Sequence, residues 1–268
     1  MWQSARDFIE SQLALLPAEL QQHSELSSSA LERLFVSAAK ATDRGVFIST
    51  GDIPAMWLRD SSFQVKPLLQ FCDQPEVAAF VAGVIAQQAF YISIDPYANA
   101  FNIEANGNCW HKDFAQQSDW VFERKWEIDS LASFLDISLG LAEQNYLDHF
   151  TDAWWQAVEQ ILAVFERELV HDPDSYVFIR KDAPKHDYLY PDGRGAKFAP
   201  CGLIWSGFRP SDDACELPFN IPQNAYAAAQ LERLTEFAPR TLAKRAKRIA
   251  KTIRRGIRKF GLHDGVYS

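Results

Sequence analysis

The chain has 268 residues, of which 47% are hydrophobic and 13% aromatic, and its formal net charge is −8. These values suit one large globular domain, or two small ones at most, and they exclude extensive disorder. The four cysteines are widely spaced without a C-x-x-C pair and the six histidines are scattered. The sequence therefore predicts no disulfide framework, no metal site and no cofactor.

The N-terminal segment predicts an amphipathic helix. The stretch "WQSARDFIESQLALL" repeats apolar positions at intervals of three and four residues. Asp7 and Glu10 stand where a signal peptide would be basic and then apolar. No stretch approaches about 20 uninterrupted apolar residues, which argues against a membrane span. We therefore expect a cytoplasmic protein without a membrane partner.

Helical periodicity continues along most of the chain, and strand signals are confined to "GVFIS" at 45–49 and "YVFIR" at 176–180. Residues 76–92 are apolar almost all round, which predicts a helix that is buried on most sides. The segments expected to be helical are 30–41, 76–92, 127–145, 148–169, 221–238 and 239–260. This pattern predicts an all-α array of helical hairpins.

Three connecting segments, 44–62, 95–126 and 181–221, are long and rich in Gly, Pro, Trp and charge. Loops beyond about 12–15 residues are unusual unless they are functional. Because the helical hairpins separate them, we expect these loops to build a site on one face of the array.

The first long loop contains "TGDIPAMWLRDS" at 50–61, which concentrates Asp52, Trp57, Arg59 and Asp60. One alternative is that Asp60 and the following Ser61 simply begin the next helix. That alternative leaves the other three residues unexplained. Aromatic faces combined with carboxylate and guanidinium groups suit the binding of sugar hydroxyls, so the loop favours a polyol site.

The other loops carry "FNIEANGNCWHKD" at 101–113, "KWEIDS" at 125–130 and "WSGFRPSDDACE" at 205–216. Adjacent acids such as Asp212 and Asp213 are commonly just solvated. Here they lie between an aromatic-flanked turn and a helix start, which favours one of them being protonated near neutral pH, as a general acid must be. Carboxylates interleaved with tryptophans are what glycoside hydrolysis requires. Nucleophile-elbow and Gly-rich phosphate motifs are missing, so other hydrolase classes fit less well.

These motifs, together with "IPQNAYA", resemble in order those of glycoside hydrolase family 125, from about Leu34 to the end of the chain. The resemblance implies an exo-acting α-1,6-mannosidase that is metal-independent and inverting and releases terminal mannose from α-1,6-linked oligosaccharides. It also implies an (α/α)6 barrel, a toroid of inner and outer helices, with the mannose pocket at one end.

The resemblance also implies roles for particular residues. Asp212 or Asp213 would be the general acid, with Asp212 narrowly favoured although the sequence does not separate them. Asp52, Arg59 and Asp60 would hold the mannose hydroxyls. The remaining expected pocket residues are Trp57, Glu104, Asn106, Trp110, Glu127, Asp129 and Arg209.

The chain departs from the family pattern at "FGLHDGVYS", where family members continue through a glutamate base and the last barrel helices. We therefore expect residues 1–268 to form a single, incomplete barrel domain that lacks the C-terminal third and the general base. Little turnover is then expected. The alternative is a catalytically inactive protein that binds mannosides or a partner. The oligomeric state is left open.

Residues 238–268 carry ten Lys or Arg and one Asp. Basic amphipathic helices bind nucleic acids, acidic membranes or partner grooves, so "TLAKRAKRIAKTIRRGIRKF" is a rival clue to function. We favour an outer barrel helix with a solvated basic face and no nucleic-acid partner, because aromatic residues do not interleave with the basic ones. Its apolar stripe is Leu242, Ala246, Ile249, Ile253, Ile257 and Phe260.

Overall fold

The computed structural model describes residues 2–113 and 117–267. Its α-helices are α1 (Trp2–Leu13), α2 (Ala18–Gln21), α3 (Ser24–Glu32), α4 (Leu58–Val65), α5 (Pro75–Ile94), α6 (Ile128–Glu143), α7 (Asp152–Glu168), α8 (Ile221–Phe237) and α9 (Arg240–Phe260). The short strands are β1 (Ala39–Ala41), β2 (Val46–Ile48), β3 (Met56–Trp57), β4 (Ala100–Phe101), β5 (Val121–Glu123), β6 (Leu262–His263) and β7 (Val266–Tyr267). A π-helical turn spans Arg33–Ala38, and 3-10 turns span Lys66–Phe71 and Lys185–Asp187. Helices thus dominate, as the sequence predicted.

The long helices form two rows. Helix α6 packs between α4 and α8, and this inner row meets an outer row in which α7 packs between α5 and α9. Every residue of α6 from Ile128 to Ala142 is buried, whereas α7 and α9 bury one face each. This burial follows from the sequence in part, since the apolar residues of α6 are spread over all its faces, whereas α9 is apolar along one stripe only.

Helix α5 is also part of the core. It is long and apolar enough to cross a membrane, but 61% of its most apolar window is buried inside the protein. The expectation that residues 76–92 form a helix buried on most sides is confirmed, and the apolarity of α5 is explained by its packing against α6, α7 and β2.

The basic helix α9 lies in the outer row. Five of the six predicted stripe positions are buried against the body, and Phe260 at the end of the helix is half exposed. Glu166 of α7 accepts from both Arg245 and Arg248, and Glu232 of α8 accepts from Arg254. Part of the basic face therefore balances carboxylates of the neighbouring helices.

One predicted helix ends earlier than expected, and one predicted strand is wrong. The helix expected over 30–41 ends at Ala38, because β1 pairs with β2 in antiparallel register, Ala39 opposite Ile48. The strand expected over 176–180 does not form. Its Phe178 N–H donates to the carbonyl of Gly193, but no ladder follows within the described residues.

A three-stranded sheet, too short to be visible in the sequence, positions the site. Strand β3 pairs with β4, Met56 opposite Phe101, and β4 pairs with β5, Ala100 opposite Glu123. This sheet ties the loop before α4 to the long loop between α5 and α6. The two loops, expected to share a face, therefore meet at one end of the inner helix row.

Candidate active site

Arg59, in the first turn of α4, is surrounded by four carboxylates that come from three separate motifs. Its Nη1 lies 2.7 Å from Oε2 of Glu127 and 3.6 Å from Oδ2 of Asp129. Its Nη2 lies 3.4 Å from Oδ2 of Asp60 and 3.6 Å from Oδ1 of Asp212. We call these five residues the Arg59 cluster. The structure thus joins residues that the sequence singled out in "TGDIPAMWLRDS", "KWEIDS" and "WSGFRPSDDACE".

The inner helices present most of these groups. Glu127 immediately precedes α6 and Asp129 lies in its first turn, where a carboxylate is favoured by the helix dipole. Ser130 Oγ donates to Oε2 of Glu127 over 3.0 Å, and the amide of Gln223 on α8 donates to Asp129. These hydrogen bonds fix the two acids at the N-terminal end of α6.

Burial raises the pKa values of three carboxylates in the Arg59 cluster. Burial raises the pKa of Glu127 well above its usual value, and the charge of Arg59 only partly offsets this. Burial also raises the pKa of Asp129 and that of Asp60. The nearby negative charges of Asp129 and Asp212 further raise the pKa of Glu127. The cluster can therefore retain a proton next to Asp212 at a pH where exposed acids are ionised.

Asp212 is set apart from its neighbour by the backbone. Its φ is +62°, in the left-handed region that few residues other than Gly, Asn and Asp adopt. Its Oδ1 accepts from Nδ2 of Asn99 over 3.3 Å and faces Arg59. Asp213 points to the other side of the loop, where it accepts from Nη2 of Arg209 and Oγ of Ser211, both over 2.9 Å. Only Asp212 of the adjacent pair joins the Arg59 cluster.

A second ionic network contacts the backbone of Asp212 through Lys125. Lys125 Nζ donates to the carbonyl oxygen of Asp212 over 2.8 Å and to Oδ1 of Asp187 over 2.7 Å. Arg180, whose side chain is fully buried, donates to Asp187 over 2.8 Å and to Glu123 over 3.0 Å. Arg180 also makes a two-pronged pair with Asp113, over 2.7 and 2.9 Å.

Sequence reasoning did not select these supporting residues for the site. Asn99 donates to both Glu123 and Asp212, so it joins the two networks, yet no local motif marks it. Lys125 is the first residue of the predicted "KWEIDS" motif, which was the one available signal. Arg180 was interpreted as the end of a strand, and its partners lie far away in the chain.

The remaining predicted residues lie outside the Arg59 cluster. Trp57 is buried beside Phe122 at a ring distance of 5.7 Å, with its indole N–H unpartnered. Trp110 is exposed, and its backbone N–H donates to Phe122. Asp52 is exposed and lines a different cavity of about 970 Å³ between α1, α3 and the turn after α4. A role for these residues in sugar binding stays a prediction.

The exposed loop residues Glu104 and Asn106 also stand apart from the cluster. The side chain of Asn106 accepts from the backbone N–H of Asn108 over 2.9 Å, which shapes its own turn. Glu104 is exposed in the same turn. Their assignment to the pocket likewise stays a prediction.

Glu127→Gln is expected to change how stability depends on pH. Because the pKa of Glu127 is raised in the folded state, its proton stabilises the fold fully below the ordinary value of 4.5 and progressively less as the pH rises through the folded pKa. Glutamine mimics the protonated form and does not lose this contribution. The variant should therefore gain stability relative to the wild type between pH 5 and pH 8, measured as urea midpoints. If the difference in stability between Glu127→Gln and the wild type were constant from pH 5 to pH 8, the raised pKa of Glu127 would be contradicted.

Comparison with known proteins places this geometry in a family. The sequence model of the family described as metal-independent alpha-mannosidase (GH125) matches residues 22–266. A solved alpha-mannosidase of Streptococcus pneumoniae, in a non-productive complex with α-1,6-mannobiose, superposes with a TM-score of 0.89 at 30% sequence identity. The superposition covers 97% of this chain and 63% of the solved one. The predicted all-α fold of the barrel type is thereby confirmed.

A curated relative in Schizosaccharomyces pombe, the meiotically up-regulated gene 157 protein, is 36% identical over 256 residues. The match covers 85% of this chain and 49% of the relative, so the chain spans about half the length of that protein. Within residues 2–113 and 117–267, no group of three or more His, Cys, Asp or Glu side chains is arranged to hold a metal ion.

Proposed function

Since the chain belongs to the GH125 family of metal-independent alpha-mannosidases, we propose that its Arg59 cluster binds the terminal mannose of α-1,6-linked oligosaccharides and that Asp212 is the general acid. The observation that carries this proposal is the placement of Asp212. It is the member of the adjacent pair whose carboxylate faces Arg59, at 3.6 Å, beside the buried Glu127.

Two carboxylates of the cluster are open to a ligand. The side chains of Asp60 and Asp212 are 32% and 36% exposed, whereas Glu127 is fully buried. Asp60 would accept hydrogen bonds from mannose hydroxyls, and Arg59 would orient Asp60 while donating to the sugar. The buried acids would then serve to hold Arg59 in place rather than to contact the sugar.

Asp212 would act by proton transfer to the departing oxygen of the glycosidic bond. In an inverting glycosidase a second carboxylate activates water on the opposite face of the sugar. No motif of this chain matches the glutamate base that the family resemblance implies. The alternative is therefore mannoside binding without turnover, and the same pocket would serve it.

The test combines a binding measurement with a turnover measurement on the 268-residue chain. We expect α-1,6-mannobiose to raise the midpoint of thermal unfolding, because a ligand that binds only the folded state stabilises it, while maltose should have no effect. Free mannose released from α-1,6-mannobiose would then establish hydrolysis. Stabilisation without release would favour the binding alternative, and the lack of both would contradict the proposal.

A further inference from the structure

Helix α9 carries a row of exposed cations that the proposed mannoside site does not use. The helix contains ten Lys or Arg side chains and no Asp or Glu. Arg245, Arg248 and Arg254 pair with carboxylates of α7 and α8. Six of the remaining seven are exposed and form no ion pair within residues 2–113 and 117–267, and we call them the basic ridge: Arg240, Lys244, Lys247, Lys251, Arg255 and Arg258.

The basic ridge points directly away from the body of the protein. Its members follow one another at intervals of three or four residues, so on a helix of 3.6 residues per turn they lie within an arc of about 80°. The buried side chains of α9, among them Leu242, Ile249 and Ile253, lie on the opposite side. At 1.5 Å per residue the ridge is about 27 Å long. The outer helix row therefore presents its cations to solvent along one straight line.

The charge of the ridge stands out because the rest of the protein is acidic. The first 237 residues carry 17 Lys or Arg and 34 Asp or Glu, which is ample charge for solubility. On the neighbouring helices, Glu166 already pairs with Arg245 and Arg248, and Glu232 already pairs with Arg254. The ridge is thus a positive surface without counter-ions from its own chain, and it is complementary to an extended anionic partner.

The straightness of the ridge favours a flat partner. Anionic lipid headgroups form a plane, so all members of the ridge can approach them at once. The phosphates of a nucleic-acid duplex wind around its axis, and a straight row of cations on a packed helix meets them only where a strand crosses the row. Aromatic residues, on which single-stranded bases would stack, do not interleave with the cations.

Exposed apolar side chains lie at the C-terminal end of the ridge. Phe260 is 52% exposed, and Val266 and Tyr267 of the β6–β7 hairpin are 69% and 70% exposed. Tyr267 is close enough to Arg254 to help raise the pKa of that guanidinium, so the hairpin lies beside α9. Basic residues next to aromatic and aliphatic ones are typical of helices that lie on a membrane surface.

We propose that the basic ridge binds the anionic headgroups of a lipid bilayer and holds the protein against the membrane surface. Clusters of four to eight Lys or Arg on an amphipathic helix are a recognised signature of anionic-lipid binding, with about fivefold in affinity for each cation near the surface. The expectation of no membrane partner rested on the lack of a spanning stretch. A peripheral contact needs no such stretch, because the apolar face of α9 remains buried in the protein.

The test measures co-sedimentation of the 268-residue chain with vesicles of phosphatidylcholine, with and without about 30% phosphatidylserine. We expect binding to the anionic vesicles only. Raising the salt from about 50 mM to about 500 mM should abolish it, because salt screens the attraction between exposed charges. The triple variant Lys244→Gln, Lys247→Gln, Lys251→Gln should weaken binding at the lower salt by at least about tenfold. Its thermal midpoint should not change, since the three side chains are exposed and glutamine is a good helix former.

The matched control replaces three exposed lysines outside α9 with glutamine, namely Lys40, Lys112 and Lys197, so that the net charge changes by the same amount. This variant should bind the anionic vesicles as the wild type does. Equal binding of the wild type to both kinds of vesicle, or to neither, would overturn the proposal. An equal loss in the control would also overturn it, because net charge and not the ridge would then be responsible. Retention of a duplex oligonucleotide at the same salt as tightly as the anionic vesicles would reject the bilayer in favour of a nucleic acid.

Discussion

In a chain that hydrolyses α-1,6-mannobiose, Asp212→Asn is expected to lower the rate of mannose release by about 10²–10⁴-fold, the usual contribution of a positioned general acid. Asp213→Asn should lower it by about threefold at most, because an acid that only orients a surface loop makes no proton transfer. The asparagine at 212 keeps the size of the side chain and its contact with Asn99. The loss would therefore report the missing proton rather than a change of shape.

A substrate that needs no acid provides the control for this experiment. A dinitrophenyl mannoside has a leaving group that departs without protonation, so Asp212→Asn should lower its hydrolysis by only about tenfold or less. A similar loss on both substrates would mean that Asp212 has a different role. A large loss in Asp213→Asn, with Asp212→Asn active, would reverse the assignment of the pair.

The helices were predictable because the apolar residues that each helix buries recur at helical spacing in its sequence. Helices α5, α6, α8 and α9 begin and end within a few residues of the predicted bounds. The errors lie where tertiary contacts override local pattern. Residues 39–41 leave the helix to pair with β2, and residues 176–180 form no strand, while Arg180 at their end is buried in its ionic network.

The sequence predicted which residues contribute to the site, but it did not predict that these residues lie close together. Arg59, Asp60, Glu127, Asp129 and Asp212 were all candidates, yet their convergence depends on the two- and three-residue strands that join the loops. The distinction between Asp212 and Asp213 depends on one left-handed backbone angle, which adjacent identical residues do not reveal. Asn99 and Arg180 act through contacts far apart in the chain, so no local spacing pointed to them.

Arg59→Met is expected to lower the free energy of unfolding by about 3–5 kcal/mol at pH 7.5, the cost of removing one partner from a buried ion pair. Arg59 is 14% exposed and is the shared cation of Glu127 and Asp129, whose side chains are 0% and 7% exposed. Methionine retains much of the packing volume. The loss would therefore come from carboxylates left without their counter-ion. Binding of α-1,6-mannobiose should be lost as well, since Arg59 holds Asp60 and Asp212 in position.

The pH dependence distinguishes this explanation from a simple packing defect. Without Arg59, Glu127 and Asp129 can avoid buried charge by taking up protons, so the deficit of the variant should shrink as the pH falls from 7.5 to 5. The matched control is Arg248→Met, because Arg248 is 69% exposed and pairs with Glu166 on the surface. Its effect should stay below about 1 kcal/mol at either pH. A deficit in Arg59→Met that is independent of pH would mean that packing, and not charge, is what Arg59 supplies to the site.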